Sequence, residues 1–182
     1  MADPNLVHIA AAAVRDRETG HVFCAAIMSW PAGHSEQIFL RDIVRGDPSG
    51  EGGYINAAGG LAYIVSESMK KLTRRCVVRV HVDVDPGEFI RSLELATGSR
   101  KANAHEARLL KDMRKPREMF EALSHAIETY TNKLPNDFSI SMSPDADNIS
   151  AVKSYAVAYR DGWPTRTIPA APSLPSPTPS PR

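Results

Sequence analysis

The apolar positions fall first into three short runs divided by turn residues. Val7 to Val14 (VHIAAAAV), His21 to Trp30 (HVFCAAIMSW) and Ser35 to Val44 (SEQIFLRDIV) have the length and composition of strands. RDRETG, whose Gly20 suits a positive φ, separates the first two, and PAGH the next two. Such short turns predict an antiparallel meander. RGDPSGEGGY then reads as a Gly-rich loop.

The period then changes. From Tyr54 to Leu72 the apolar residues Leu61, Ile64, Val65, Met69 and Leu72 follow helical spacing, with Asn56 at the start as N-cap. Gly59 and Gly60 stand in its first turn, although glycine costs about 1 kcal/mol against alanine inside a helix. Cys76 to Val84 is the strongest strand pattern, with Val78, Val80, Val82 and Val84 alternating against Val77, Arg79, His81 and Asp83. Pro86 suits the first turn of a helix through Leu95. Thr97 to Glu118 has helical spacing in its middle and a stop at Pro116. Arg117 to Asn132 carries Phe120, Leu123, Ile127 and Tyr130 on one stripe. Asp137 to Met142 is a short strand. The last helix has Asp147 as its predicted N-cap and Gly162 placed to end it. The order βββ, α, β, α, basic segment, α, β, α predicts an α/β fold: a five-stranded mixed sheet, a β1-β2-β3 meander followed by helix-connected β4 and β5, with helices on both faces.

Composition divides the chain once. Residues 164–182 hold seven of the fourteen prolines, and two spacings there fit PxxP. Proline has no N–H and forces its predecessor extended. A folded domain over residues 1–163 and a disordered Pro/Ser-rich tail are the expectation. Cys24 and Cys76 lack CxxC spacing and read as buried free thiols of a reducing compartment. The start of the chain has no basic segment before its short apolar run, and no stretch approaches a membrane span. An intracellular, cytoplasmic protein without a membrane partner is expected. The six histidines, among them His81 on a strand face with Arg79 and Asp83, form no metal spacing.

The formal net charge of +1 points to no class of partner, but its distribution does. Ser99 to Glu118 holds seven basic residues, Arg100, Lys101, Arg108, Lys111, Arg114, Lys115 and Arg117, against three acids, Glu106, Asp112 and Glu118. A cluster of this kind is the footprint of phosphate binding, and equally a solvated helix face.

Three stretches carry a resemblance to the type 1 ribonuclease H family, and with it the ribonuclease H-like fold. NAAGGLAYIVSESMKKL resembles that family's first helix, which opens with Asn-x-x-Glu. VRVHVDVDPGEF resembles its fourth strand, which ends on an acid before a helix. KPREMFEALSHAIETYTNKLPNDFSISMSPDADNISAVKSYAVA is similar in spacing to its closing helix–strand–loop–helix. The similarity is one of pattern and covers most of residues 7–160. The family cuts RNA paired to DNA with two magnesium ions held by four carboxylates, as hard cations require oxygen ligands. The resemblance implies those carboxylates at positions that here hold Ala12, Gly59, Asp83 or Asp85, and a residue near Val152, with Asp145 and Asp147 the closest acids to the last. It implies a chain that keeps the fold and lacks the nuclease, with no cofactor. It also likens residues 100–117 to a basic helical protrusion that grips a hybrid's phosphates, and Asn56 to a residue on the substrate backbone.

Each acid also has a structural reading. Asp83 and Asp85 stand at a strand end, where Asp85 can cap the Pro86 helix, and Asp147 can cap the last helix. DRETG, with Asp16 and Glu18, resembles the first motif of proofreading exonucleases, but an acidic turn ending in glycine is a common hairpin. Three functions follow. The first is a catalytically inactive module that binds duplex or RNA–DNA hybrid through 100–117. The second is a protein-interaction or homodimerising scaffold. The third is a divergent magnesium-dependent nuclease using Asp16, Glu18, Asp83, Asp85 and Asp147.

Overall fold

A computed structural model of the chain describes residues 5–16, 18–19, 21–31, 33–41, 51–112, 114–131, 138–142 and 146–162. At 36–41, 51–57, 109–112, 114–116, 141–142 and 146–148 the backbone alone is described. Gly20, most of the RGDPSGEGGY segment, Asp145, Trp163 and the proline-rich 164–182 lie outside the described residues.

Five strands and five helices occur among the described residues. β1 (Leu6–Arg15), β2 (Val22–Ser29) and β3 (Ser35–Arg41) come first, followed by α1 (Glu51–Met69), β4 (Val77–Val82), α2 (Pro86–Thr97), α3 (Ala104–Asp112), α4 (Arg114–Tyr130), β5 (Phe138–Met142) and α5 (Ala146–Arg160). They build one sheet in the order β3-β2-β1-β4-β5. β1 pairs antiparallel with β2, and β2 with β3; β1 with β4 and β4 with β5 are parallel. The antiparallel pairs are joined by short turns. The parallel ones need helical crossovers, which α1 and the α2–α4 segment supply.

Alternation along the strands sorts side chains between two faces. Val7, Ile9 and Ala11 of β1, Val22, Cys24, Ala26 and Met28 of β2, and Val78, Val80 and Val82 of β4 form the main core under α1, α2 and α4. The opposite face carries α5, whose Val152 and Ala156 rest on Ala12 and Ala25. The alanine run of β1 thus lets helices approach the sheet closely from both sides. Phe89 of α2 meets Phe120 of α4 edge-on, ring centres 5.8 Å apart, tying the outer helices to this core.

α1 runs between the sheet and α4 and is buried nearly all round from Ala58 on. Its buried Ser66 and Ser68 hydroxyls are satisfied by donating to the carbonyls of Tyr63 (2.7 Å) and Ile64 (2.6 Å). Gly60 finds its reason here. A Cβ on Gly60 would stand 2.8 Å from Cys24 Sγ and 3.1 Å from Val22 Cγ1, so the helix can lie this close to β2 only without a side chain there.

Three sequence expectations are corrected. α1 begins at Glu51, so Asn56 is not its N-cap and the glycine pair lies in its third turn. Gly52 and Gly53 argue locally for a loop. Once the buried half fixes the axis, each further residue adds a hydrogen bond at little nucleation cost. Pro116 does not stop a helix; it is the third residue of α4, where its missing N–H would have no intrahelical acceptor. α5 begins at Ala146, so Asp147 lies inside the first turn and is not the N-cap. Gly162, at φ 101°, does follow the end of α5.

Candidate functional site

The positions matched to metal-binding carboxylates hold a different chemistry. Ala12, wholly buried, faces Ala25 across the sheet and packs with Val152 and Ala156 of α5. Gly59 is buried within α1. Neither supplies an oxygen ligand. The acids at the end of β4 are engaged in holding structure. The Asp83 carboxylate accepts from Lys153 Nζ on α5 at 2.7 Å. Asp85 is the N-cap of α2: its Oδ1 accepts from the Glu88 amide at 2.8 Å, and Pro86 follows at the first helical position. An extended backbone at φ −61°, ψ 120° suits that role.

Asp16 is committed in the same way. Its Oδ1 accepts from the amides of Glu18 (2.8 Å) and Thr19 (3.2 Å), while its own amide donates to the His21 carbonyl (2.8 Å) and closes the β1–β2 turn. Those two backbone amides hold its carboxyl below the usual carboxylate range. Glu18 is exposed on the turn. Asp147 sits on the backbone of the first turn of α5. Among the described residues no three histidines, cysteines, aspartates or glutamates converge on a metal position. The described ones among these residues do not fit a pair of magnesium ions.

The buried thiols carry no evident chemistry either. Cys24 and Cys76 are both free and buried, and burial pushes the Cys24 thiol up to about 12, far from the thiolate a nucleophile requires.

The basic segment is built around one acid that sequence reasoning counted only as a minority charge. α2 ends at Gly98, in the left-handed conformation at φ 74°. Asn103 then opens α3 with a reciprocal cap: its Oδ1 accepts from the Glu106 amide at 2.9 Å, and Glu106 Oε2 accepts from the Asn103 amide at 2.8 Å. Glu106 Oε1 also accepts from Arg91 Nε of α2 at 3.0 Å and from Arg100 Nη2 at 2.6 Å. The Asn103 amide first, and then Arg91 and Arg100, hold this carboxyl at about 2. Glu106 is only 6% exposed, whereas its neighbours Ala104, His105, Ala107 and Arg108 all face solvent. Among the described side chains of α3, Glu106 is the buried one, and it ties the helix to α2 through Arg91. The Asn-x-x-Glu pattern of NAHE was the available signal for it.

That carboxylate divides the seven cations. Arg100 is bound to it, and Arg117 pairs with Glu121 of α4 at 3.1 Å. Lys101 and Arg108 are exposed beside and on α3. Lys111 falls in the last turn of α3, and Arg114 and Lys115 in the first turn of α4, on described backbone. Asn56 lies within α1, away from this cluster in sequence, and its side chain is outside the described residues.

A three-stranded meander extended by two parallel, helix-connected strands, with α1 and α4 on one face and α5 on the other, defines the ribonuclease H-like fold. Solved structures similar to this chain include ribonuclease H1 from the halophilic archaeon Halobacterium salinarum NRC-1, with 12% identity over 85% of this chain and 98% of that one, at a TM-score of 0.49. LC11-RNase H1, isolated from compost by a metagenomic approach, has 12% identity over 86% and 98%, at 0.49. The N-terminal RNase H domain of rv2228c from Mycobacterium tuberculosis has 11% identity over 85% and 98%, at 0.44. No protein-family model matches the sequence, and no curated protein matches it.

Proposed function

We propose that the chain is a ribonuclease H-like module that binds nucleic acid, duplex or RNA–DNA hybrid, through residues 100–117 and does not cleave it. The observation that carries this reading is the segment around α3: a buried Glu106 pairs with both Arg91 and Arg100, a cluster that keeps one net positive charge, while Lys101 and Arg108 are exposed. Phosphate contacts of that kind hold a duplex in place without reading its sequence. Loss of cleavage is supported by Ala12 and Gly59, which bring no oxygen, and by Asp83 and Asp85, whose carboxylates serve a salt bridge and a helix cap. No cofactor is required for binding of this type.

The test is a cleavage and binding pair on one sample. A labelled RNA–DNA hybrid incubated with the protein and magnesium is expected to remain intact while migrating as a complex. Charge reversal at Lys111, Arg114 and Lys115 is expected to abolish the complex. Cut product that disappears with Asp85→Ala would restore the nuclease reading. Absence of any complex at low salt would leave the same fold as a scaffold for a protein partner.

A further inference from the structure

Two histidines 73 residues apart in sequence meet on the sheet face that carries α5. α5 packs at Ala12 and Ala25, beyond the start of β1, and His8 is exposed. In the parallel register His8 stands opposite Arg79 and Ala10 opposite His81, so His8 and His81 are diagonal neighbours on one face. His8 Nδ1 and His81 Nε2 are 3.0 Å apart, with ring planes 12° from parallel and ring centres 5.3 Å apart. A ring nitrogen lies close to its own ring centre. Centres this far apart with nitrogens this near therefore require rings meeting edge to edge, not lying one over the other. The facing nitrogens share one proton.

We propose that His8 and His81 form a two-histidine site for a divalent transition-metal cation of the zinc, nickel and copper class. Neutral imidazole nitrogen suits these ions. Two zinc–nitrogen bonds at a tetrahedral angle hold the nitrogens about 3.3 Å apart. The pair is thus within about 0.3 Å of that separation, and the exposed His8 ring has room to turn its lone pair toward a shared ion. His81 takes part in a further interaction, and the outer nitrogen of the exposed His8 ring can take up the shared proton through water, so a neutral pair binds the ion without net proton release. Of the charged neighbours, Arg79, opposite His8, takes part in an interaction of its own, and Asp83, two residues beyond His81, is bound to Lys153. No third histidine, cysteine or carboxylate joins the pair among the described residues, so water completes the coordination and the affinity falls below that of a four-ligand site.

Zinc chloride titrated calorimetrically into the full chain tests this. One saturable site is expected, weakened at least tenfold in His8→Gln and in His81→Gln and unchanged in His125→Gln, an exposed histidine of α4. No saturable heat, equal affinity in all variants, or loss in only one of the first two would overturn the paired site. If a variant fails to fold, zinc should still shift the ring resonances of His8 and His81 in the unmodified protein and leave those of the other histidines in place. Shifts confined to other histidines would overturn it equally.

Discussion

Gly60 is where a local preference yields to packing. Replacing it with alanine gains about 1 kcal/mol of helix propensity. It also sets a methyl group against Cys24 Sγ, at a distance real Cβ atoms essentially never show. Overpacking a well-filled core costs about 1–3 kcal/mol, so Gly60→Ala is expected to be net destabilising in urea unfolding. Cys24→Ala in the same chain should recover most of the loss by removing the sulfur. A stabilised Gly60→Ala protein would contradict the close approach of α1 to β2. Asp85 supplies a second residue-scale test. Its Oδ1 caps α2, so Asp85→Ala should cost about 1 kcal/mol of stability and leave nucleic-acid binding unchanged. The sequence offered both cap and metal ligand for Asp85, and the placement of the Glu88 amide supplies the cap. Gly60 was legible as an anomaly, but the sulfur it accommodates comes from a strand 36 residues earlier, which no helical pattern reveals.

At the level of elements, β4 was the easiest to read, because its valines alternate with polar residues as a half-buried strand must. α1 was misread at its start, since Gly52 and Gly53 suggest a loop while the helix continues back through them from its buried half, starting at Ala58. α3 was legible as a charged helix, and its fastening was missed although Asn103 and Glu106 have the spacing of a reciprocal cap. That fastening has a pH signature. A carboxyl held at about 2 in the folded chain and near 4.5 in the unfolded one binds more protons when unfolded between those values. Its contribution to stability is full above about 4.5 and disappears as pH falls through 2. The Glu106 carboxyl carbon should therefore titrate with a midpoint near 2 by carbon NMR, and a midpoint near 4.5 would contradict the network. Glu106→Gln removes the charge that Arg91 and Arg100 oppose, and should speed hydrogen exchange at the amides of residues 103–107 while the sheet amides keep their protection.

Across the whole molecule, the order of strands and helices was legible because hairpin turns and helical crossovers leave opposite marks in the sequence, short Gly-bearing gaps in one case and periodic segments in the other. Pairing between distant strands was not. His8 and His81 meet only because β1 and β4 are parallel neighbours in one particular register, which neither strand's own pattern encodes. That Ala12 and Gly59 bring no oxygen was visible from residue type alone. The partners of Asp83 and Asp85, by contrast, needed the fold. Among the described residues no helix is long and apolar enough to cross a membrane.

The proposed module grips phosphates through the basic segment 100–117. Fluorescence anisotropy of a labelled RNA–DNA hybrid, titrated with the protein at two salt concentrations, tests it most directly. Binding should weaken steeply with salt, because each neutralised phosphate contributes about −0.9 to the slope of log K against log salt on a duplex. Lys101→Glu combined with Arg108→Glu should weaken binding and flatten that slope by about 2, one unit for each phosphate no longer neutralised. No binding at low salt, or binding whose strength and salt dependence are unchanged in that double variant, would contradict the account.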